Sequence, residues 1–296
     1  MPPRKLSPVG AHVLVAGGLA RTGLAYAREI GAEAVQVFVS NPRGWAQAKG
    51  DPGQDDAFVS GCADAKLPVF VHAPYLVNFG SPTAATLEGS VAAVRHSLQR
   101  GRALCARGVV VHAGSQVAGG GYDDALRQVR ERLRPLLDEL TDDSPDLLIE
   151  LTAGGRGALA GTPDQLPAYL DALDWHPKVG VCVDTCHIFA AGYAFGTVEE
   201  YDGMIGELDR AVGPGRVRVW HLNDSRRGRG SRVDRHEGIG RGHLGLEPFR
   251  NVLNDPRFRA IPMILETPKG SDGGEEFDVL NLRVLRLLEC PPAATA

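Results

Sequence analysis

Residues 179–193 read VGVCVDTCHIFAAGY, and the fold of the chain can be argued outward from this stretch. Val179, Val181 and Val183 form an apolar run that predicts a short buried strand. The run stops at Asp184, and His187 follows three residues later. A carboxylate and an imidazole at the end of a buried strand are typical of α/β enzymes, which place metal-binding and acid/base groups there.

The same arrangement occurs five more times, each time as an aliphatic or β-branched run closed by one histidine or one carboxylate. The five stretches are PVFVHA with His72, GVVVHAGS with His112, DLLIELTAG with Glu150, VRVWHLND with His221 and IPMILETP with Glu266. Such recurrence indicates parallel strands that deliver their last polar side chains to one common rim.

Strand-like and helix-like segments alternate along the chain. Strands are predicted at 12–16, 34–39, 68–73, 108–112, 146–150, 179–184, 217–222 and 261–266. Helices are predicted at 19–30, 84–107, 123–140, 163–173, 199–212, 247–253 and 276–288. Strands this apolar favour a closed parallel sheet over an open one. We therefore predict the α/β class and one (β/α)₈ TIM-barrel domain over 1–296, with flexible tails at 1–9 and 291–296.

Composition narrows the function classes. A chain of 296 residues with 43% hydrophobic content suits one such barrel. The formal net charge of −4 gives no global basic field, so a nucleic acid would have to be held by a local patch or by metal ions. Five cysteines without framework spacing predict reduced thiols in a cytoplasmic protein. The absence of a secretory segment or a membrane-spanning apolar run predicts no membrane partner.

The strand ends and the long loop at 223–245 together supply nine candidate metal ligands. They are His72, His112, Glu150, Asp184, His187, His221, Asp234, His236 and Glu266. Five imidazoles and four carboxylates suit Zn²⁺, or Mn²⁺ in part. Nine ligands exceed what one ion takes, so a cluster of two or three ions is predicted. Such clusters are made for the hydrolysis of phosphate esters.

Several segments resemble the endonuclease IV family of apurinic/apyrimidinic endonucleases. They are GAHVLVAGGL, VFVSNPRGW, HAPYLVNFGSP, VDTCHIFAAGY, HLNDS, SRVDRHEGIGRGHLGLEPF and ILETP. The resemblance covers roughly 10–270, and the DTCH and DRHEGIG blocks are highly specific. It implies a barrel of the xylose-isomerase-like superfamily with three zinc ions.

The resemblance also implies a role for each ligand. The first zinc is held by His72 and His112, and Glu150 bridges it to the second zinc. The second zinc is completed by Asp184, His221 and Glu266. The third zinc is held by His187, Asp234 and His236. A hydroxide held by the first two ions attacks the phosphate 5′ to an abasic sugar, and the third ion stabilises the leaving 3′ oxygen. We assign Glu150 and Glu266 as the catalytic carboxylates.

The implied partner is double-stranded DNA with abasic or 3′-blocked sites, and we expect a monomer that associates with the nucleoid when it acts. Arg43 and Tyr75 match positions that enter the DNA at a flipped-out abasic nucleotide. The loop arginines, Arg232 and Arg235 among them, are expected to contact backbone phosphates. Three positions depart from the family pattern, namely Gly44, Ala113 and Leu151. These departures put the rate and the lesion preference in question.

Some residues have simpler interpretations. His12, His96 and His176 are assigned structural roles, and His243 is left undecided between a loop cap and a phosphate contact. Cys182 and Cys186 flank Asp184, and we interpret them as buried apolar thiols. The arginine-rich loop is alternatively a solvated surface, and Tyr75 and Trp45 are alternatively loop packing.

Three functions are weighed. The first is the metal-dependent cleavage of DNA at abasic sites. The second is a sugar isomerase or epimerase of the xylose-isomerase-like barrels, which holds one or two ions mostly by carboxylates and has no need of Asp234 and His236. The third is a catalytically silent zinc- or DNA-binding barrel, against which the complete ligand set argues.

Overall fold

Eight parallel strands close into a barrel in which each strand pairs with its neighbours along the chain, and the last strand pairs with the first. This computed structural model describes residues 7–116 and 121–289. The barrel strands are β1 (Val9–His12), β2 (Val35–Phe38), β3 (Val69–His72), β4 (Gly108–His112), β5 (Asp146–Glu150), β6 (Val179–Asp184), β7 (Val217–His221) and β10 (Met263–Leu265). The predicted TIM barrel is confirmed.

Helices cover the outside of the barrel. They are α1 (Ala25–Glu29), α2 (Pro52–Asp64), α3 (Ala84–Ala103), α4 (Tyr122–Asp138), α5 (Leu166–Ala172), α6 (Thr185–Ala191), α7 (Val198–Val212), α8 (Glu247–Asn254) and α9 (Phe277–Leu288). A π-helical turn (Leu19–Leu24) precedes α1, and 3₁₀ turns lie at Pro163–Gln165 and Pro256–Phe258. Two short antiparallel pairs complete the fold: β8 (Asp224–Ser225) with β9 (His236–Glu237), and β11 (Ser271–Asp272) with β12 (Glu275–Glu276).

The apolar residues of the strands pack on two sides. Those that face outward form one large core with the helices. Those that face inward form a separate buried cluster inside the barrel, consisting of Ala34, Phe70, Val110, Leu148, Cys182, Val219 and Ile264. Because side chains alternate along a strand, the residue two positions beyond each of these also points into the barrel, closer to its carboxyl-terminal mouth.

The first strand lies earlier than predicted. The prediction of 12–16 was wrong because it followed the apolar letters of HVLVA, whereas β1 covers Val9–His12. Leu14 is in fact 64% exposed. The strand packs closely on its neighbour at Gly10, where a Cβ would lie 1.8 Å from the carbonyl oxygen of Ala34.

Two helices were missed. Helix α2 lies in the polar stretch after the second strand and is started by Asp51, whose carboxylate accepts hydrogen bonds from the amides of Gly53 and Gln54. Helix α6 follows β6 directly, where a loop was expected. The other predicted helices and strands are confirmed to within a few residues at their ends.

Several predictions concern the chain as a whole. The predicted tails at 1–9 and 291–296 lie largely outside the described residues, and the single-domain boundary stays a prediction. Among the residues described, no helix is both long and apolar enough to traverse a bilayer. Cys62, Cys105, Cys182 and Cys186 are free thiols.

Candidate metal centre

Each of the eight barrel strands contributes a polar side chain to the mouth. In seven strands it is the last residue or the one just after it, and in β2 it is the second residue. These residues are His12, Gln36, His72, His112, Glu150, Asp184, His221 and Glu266. Seven of them lie two positions beyond a member of the inward apolar cluster. The alternation of side chains along parallel strands therefore brings together six of the nine predicted ligands, which lie far apart in the sequence.

Glu150 is the centre of this layer and is fully buried. Its Oε2 lies 3.3 Å from Nε2 of His72 and 3.3 Å from Nε2 of His112. Its Oε1 lies 3.0 Å from Nδ1 of His221, which in turn lies 3.3 Å from Oε2 of Glu266. One carboxylate thus contacts two groups of potential ligands, which is the geometry of a bridging ligand.

Asp184 connects the strand layer to the ligand from α6. Its Oδ1 caps that helix by accepting hydrogen bonds from the amides of Cys186 (2.6 Å) and His187 (3.1 Å). Its Oδ2 accepts a hydrogen bond from the side-chain amide of Asn223 at 2.6 Å and lies 3.5 Å from Nε2 of His236. Capping fixes the start of the helix, and so His187 points from its first turn toward the mouth.

Asp234 and His236 come from the loop between β7 and α8, which is ordered by a buried carboxylate. Asp224 accepts hydrogen bonds from the amides of Gly242 (3.0 Å) and Leu244 (2.9 Å). The β8–β9 pair then holds His236 opposite Ser225. Asp234 lies 3.2 Å from Nε2 of His236 through one oxygen. Its other oxygen lies 3.2 Å from Nε2 of His187.

The histidines of the cluster are held in defined tautomers. Three donate through Nδ1 to a backbone carbonyl: His72 to Ala73 (2.6 Å), His187 to Leu151 (2.9 Å) and His236 to Glu266 (3.2 Å). Their Nε2 lone pairs are thereby directed into the cluster. An imidazole whose second nitrogen is fixed by a carbonyl is the usual arrangement of a metal-ligating histidine.

The buried carboxylates and imidazoles of the cluster shift each other's pKa values. Burial by itself would raise the pKa of Glu150, but the imidazoles of His221 and His112 outweigh burial and hold it well below its usual value. Burial opposes charge on His221 and His236 as well. Nevertheless Glu266 raises the pKa of the first and Asp184 that of the second, each to about 9.

The described residues fit divalent cations. Three groups match the predicted division: His72, His112 and Glu150; Glu150, Asp184, His221 and Glu266; and His187, Asp234 and His236. Within each group the ligand atoms lie within 4.8 Å of one another. In addition, the buried Nε2 atoms of His187 and His236 have no hydrogen-bond partner, although Asp234 is near both. A cation between them would give each nitrogen a partner. That these groups bind metal stays a prediction.

A cavity of about 330 Å³ opens beside the cluster, lined by Tyr75, His112, Arg156, His187 and Arg232 among others. Tyr75 is 46% exposed, and its ring stands 5.3 Å from that of His72. The Tyr75 amide donates to the carbonyl of Pro42 at 2.9 Å, which ties the loop of Arg43 to this rim.

The arginines predicted to contact DNA lie on the same rim. Arg43, Arg232 and Arg235 are at least partly exposed. Arg232 is anchored by its amide, which donates to the carbonyl of Ala190 at 2.9 Å, and its backbone is left-handed with φ of 56°. The geometry is compatible with DNA contact, which stays a prediction for all of these residues.

Residues of the site that the sequence reasoning missed are Gln36, Asn223, Asp224 and Arg156, and His12, assigned a structural role, also borders the cluster. His12 is buried with Nδ1 3.4 Å from Glu266. A signal existed for Gln36 and His12, because His12 ends its strand and Gln36 lies two residues after the inward-facing Ala34. No comparable pattern marks Arg156.

One departure from the family pattern and two thiols lie within this site. Leu151 is fully buried, and its backbone carbonyl accepts the hydrogen bond from Nδ1 of His187. Cys182 and Cys186 are buried, as predicted, although both lie near potential ligands. Burial raises the pKa of the Cys186 thiol to about 12, which disfavours the thiolate that a metal requires.

Comparison with known proteins gives consistent matches over most of the chain. Residues 24–284 match the family described as xylose isomerase-like TIM barrel. A Streptomyces coelicolor protein named "Probable endonuclease 4" is 53% identical over 281 residues, which are 95% of this chain and 95% of that protein. A Geobacter sulfurreducens protein of the same name is 41% identical, with coverage of 95% and 94%.

Solved structures agree. Endonuclease IV from Thermus thermophilus superimposes with a TM-score of 0.82 at 36% identity, over 95% of this chain and 98% of that one. A D-tagatose 3-epimerase-like protein gives a TM-score of 0.73 at 17% identity, over 95% and 96% of the two chains. At that identity the likeness extends to the barrel fold alone.

Proposed function

The chain belongs to the endonuclease IV family of xylose isomerase-like TIM barrels and is an endonuclease, and we propose that it cuts DNA 5′ to abasic sites with three zinc ions. The products would be a 3′-hydroxyl and a 5′-deoxyribose phosphate. The observation that carries the proposal is the convergence of nine imidazole and carboxylate ligands into three groups at one mouth, with Glu150 common to two of them.

Each of the three ligand groups is assigned one ion. We propose that the first ion is held by His72, His112 and Glu150, and that the second is held by Glu150, Asp184, His221 and Glu266. His187, Asp234 and His236 hold the third at the more open edge, where Asp234 is 47% exposed. When bound, zinc supplies hydroxide near neutral pH and stabilises charge on the attacked phosphate and on the leaving oxygen.

The residues of the chain then do three things. Glu150 would be shared by the first two ions, because its two oxygens face different imidazoles. Asp184 fixes the start of α6, and with it His187, relative to the ligands carried by the strand ends. The carboxylates leave part of the charge of three dications unbalanced, so the mouth attracts a phosphate even though the chain is acidic overall with a net charge of −4.

Recognition of DNA is proposed for the rim. Arg232 and Arg235 would contact backbone phosphates, and Arg43 and Tyr75 would enter the helix where the abasic nucleotide leaves it. The cavity of about 330 Å³ beside the cluster is open to receive that sugar. The same cluster would hydrolyse 3′-blocking groups. We propose a monomer that acts on the nucleoid.

The test is a nicking assay on a duplex with one synthetic abasic site, labelled at its 5′ end. Purified protein should cut it to a product with a 3′-hydroxyl and should leave the matched undamaged duplex intact. Removal of metal by a chelator should abolish nicking, and zinc should restore it. His187→Ala should lose activity, whereas His176→Ala, which removes a histidine far from the mouth, should keep it.

Nicking that persists after complete removal of metal would contradict the proposal, and so would specific binding of abasic DNA without cleavage at any metal concentration. A sugar epimerase is disfavoured because the group of His187, Asp234 and His236 is additional to what that chemistry uses. Turnover of a panel of ketoses without nicking would reverse this judgement.

A further inference from the structure

Gln36 is a fully buried amide on β2, directly beneath the second ligand group. We propose that Gln36 is a positioning residue that fixes the tautomer and the ring orientation of His221, and thereby sets the affinity of the second group for its ion. The inference rests on the proposed metal site, and it adds a residue that ligates no ion itself.

The first step concerns the orientation of the amide. One end of the Gln36 side chain lies 2.6 Å from Oε1 of Glu266, and the other lies 3.0 Å from Nε2 of His221. An ionised carboxylate can only accept hydrogen bonds. The end that faces Glu266 must therefore be the NH₂ group, and the carbonyl oxygen must face His221.

The second step concerns the imidazole. Because the Gln36 oxygen can only accept, Nε2 of His221 must carry a proton and donate it. In the neutral ring Nδ1 is then the free lone pair. Nδ1 is the nitrogen that faces the ligand group, at 3.0 Å from Glu150, 3.3 Å from Glu266 and 3.9 Å from Asp184.

The third step is a comparison within the cluster. The second nitrogens of His72, His187 and His236 are fixed by backbone carbonyls, which no substitution of a neighbouring side chain removes. His221 is ligand-facing through the opposite nitrogen, and its partner is a side chain. Its orientation therefore depends on the residue type at position 36.

His12 completes the arrangement from β1. Its Nδ1 lies 3.0 Å from Nε2 of Gln36, so it accepts the second amide proton while Glu266 accepts the first. The amide is thus held from three sides by His12, Glu266 and His221. Rotation of the amide would therefore break the hydrogen bonds to all three residues.

The test uses two substitutions of similar volume. Gln36→Met removes every hydrogen bond, and Gln36→Glu keeps an acceptor for His221 but removes the donor toward Glu266. Zinc is titrated into the metal-free protein against a chromogenic chelator, after circular dichroism has shown that each variant is folded. In Gln36→Met the affinity for one of the three ions should fall about 10- to 100-fold, the usual effect of losing such a partner. Gln36→Glu, which still accepts from His221, should lose less of that affinity. The other two affinities should change less than about twofold.

Gln47→Met is the matched control, because Gln47 is exposed and its amide donates to the carbonyl of Ala92. Three zinc affinities within twofold of the parent in both Gln36 variants would overturn the inference. Should a variant fail to fold, a crystal structure of the unmodified zinc-loaded protein decides: Nδ1 of His221 must face the ion and Nε2 must face Gln36. A ring turned the other way would overturn the inference while three bound ions and abasic nicking would leave the proposed function intact.

Discussion

Two consecutive inward layers of the same barrel have opposite chemistry. The deeper layer contains Ala34, Phe70, Val110, Leu148, Cys182, Val219 and Ile264, and all are at most 1% exposed. The layer at the mouth, two residues further along each strand, is entirely polar. The two layers are separated by about 7 Å along the strands, at roughly 3.3 Å per residue.

This contrast shows how one backbone supports both tasks. The same strands supply both levels, so what differs is the side chain at each inward position. The deeper layer is a close-packed plug that holds the strands at fixed spacing. Burying carboxylates and imidazoles together in the mouth layer costs solvation free energy. The contacts among these groups would therefore not hold them in place by themselves. We infer that packing below positions the ligands above.

The strongest way to break the mouth layer is Glu150→Gln. It removes the carboxylate that two ligand groups share. Loss of transition-state stabilisation by several kcal/mol should lower kcat on an abasic duplex by about a thousandfold or more. Glu139→Gln, which alters an exposed partner of Arg95, is the control and should keep full activity. Activity of the Glu150 variant within tenfold of the parent would argue against a bridging role.

Asp224→Ala separates the loop ligands from the strand ligands. Asp224 orders the loop that carries Asp234 and His236, so the third ion should bind more weakly and nicking should fall by about 10- to 100-fold. Zinc counting after dialysis should give two tightly held ions in place of three. Asp143→Ala, in an exposed pair with Arg102, should have no effect. Three tight ions in the Asp224 variant would mean that the loop is ordered by other contacts.

Metal binding should release protons. His221 and His236 have pKa values of about 9 in the metal-free protein, so both are charged at pH 7 and must lose their protons to ligate. Zinc affinity should therefore rise with pH up to about 9, by about tenfold per unit for each proton displaced. Calorimetry in buffers of different ionisation enthalpy measures the number released. Binding heats that are independent of the buffer would contradict the protonated state.

The same shifts predict a stability profile for the metal-free protein. A histidine pKa raised above 6.5 contributes stability that is fully present below pH 6.5 and is lost as the pH rises toward about 9. Glu150, with its lowered pKa, contributes stability above pH 4.5 that is lost on acidification. Thermal unfolding without metal should thus show its highest Tm between these values. A Tm that rises steadily from pH 6.5 to 9 would contradict this.

Arg232→Ala should affect binding more than chemistry. If Arg232 neutralises one phosphate, KM should rise a few-fold, and the slope of log affinity against log salt should fall by about one. The kcat should change little, because no ligand is lost. Arg132→Ala on the exposed face of α4 is the control. An unchanged salt slope would remove Arg232 from the DNA contacts.

Leu148→Ala acts on the deeper layer and should have the smallest effect on chemistry. Truncating a fully buried leucine should cost about 2 to 5 kcal/mol of the free energy of unfolding. Well below the lowered Tm, the zinc content and the kcat should stay within about twofold of the parent values, because the ligands at the mouth are unchanged. A large loss of zinc without unfolding would show that the two layers are coupled more tightly than this account holds.

Much of the mouth layer could be predicted from the sequence. His72, Glu150 and His221 stand out because an apolar run ends at a side chain that metals prefer. Gln36 has the same parity, two residues after an inward apolar residue, yet an amide carries no metal or acid/base signal. His12 was misplaced because its strand was predicted three residues late, from the apolar letters that follow it.

Local structure was hardest to predict where hydrogen bonds from polar side chains, rather than apolar packing, stabilise it. Helix α2 buries few apolar residues, Phe58 and Cys62 among them, so it has little amphipathic signal; the useful clue was Asp51 before Pro52. Asp224 offered no signal at all, because its partners are backbone amides that lie 18 and 20 residues further along. Contacts of that kind arise from the tertiary fold.

The most direct test of the mouth layer is a crystal of the zinc-loaded protein measured at the zinc absorption edge. The account predicts three anomalous peaks per chain, one in each ligand group, with Glu150 contacting two of them. Fewer than two peaks, or peaks away from His72, His221 and His236, would contradict it.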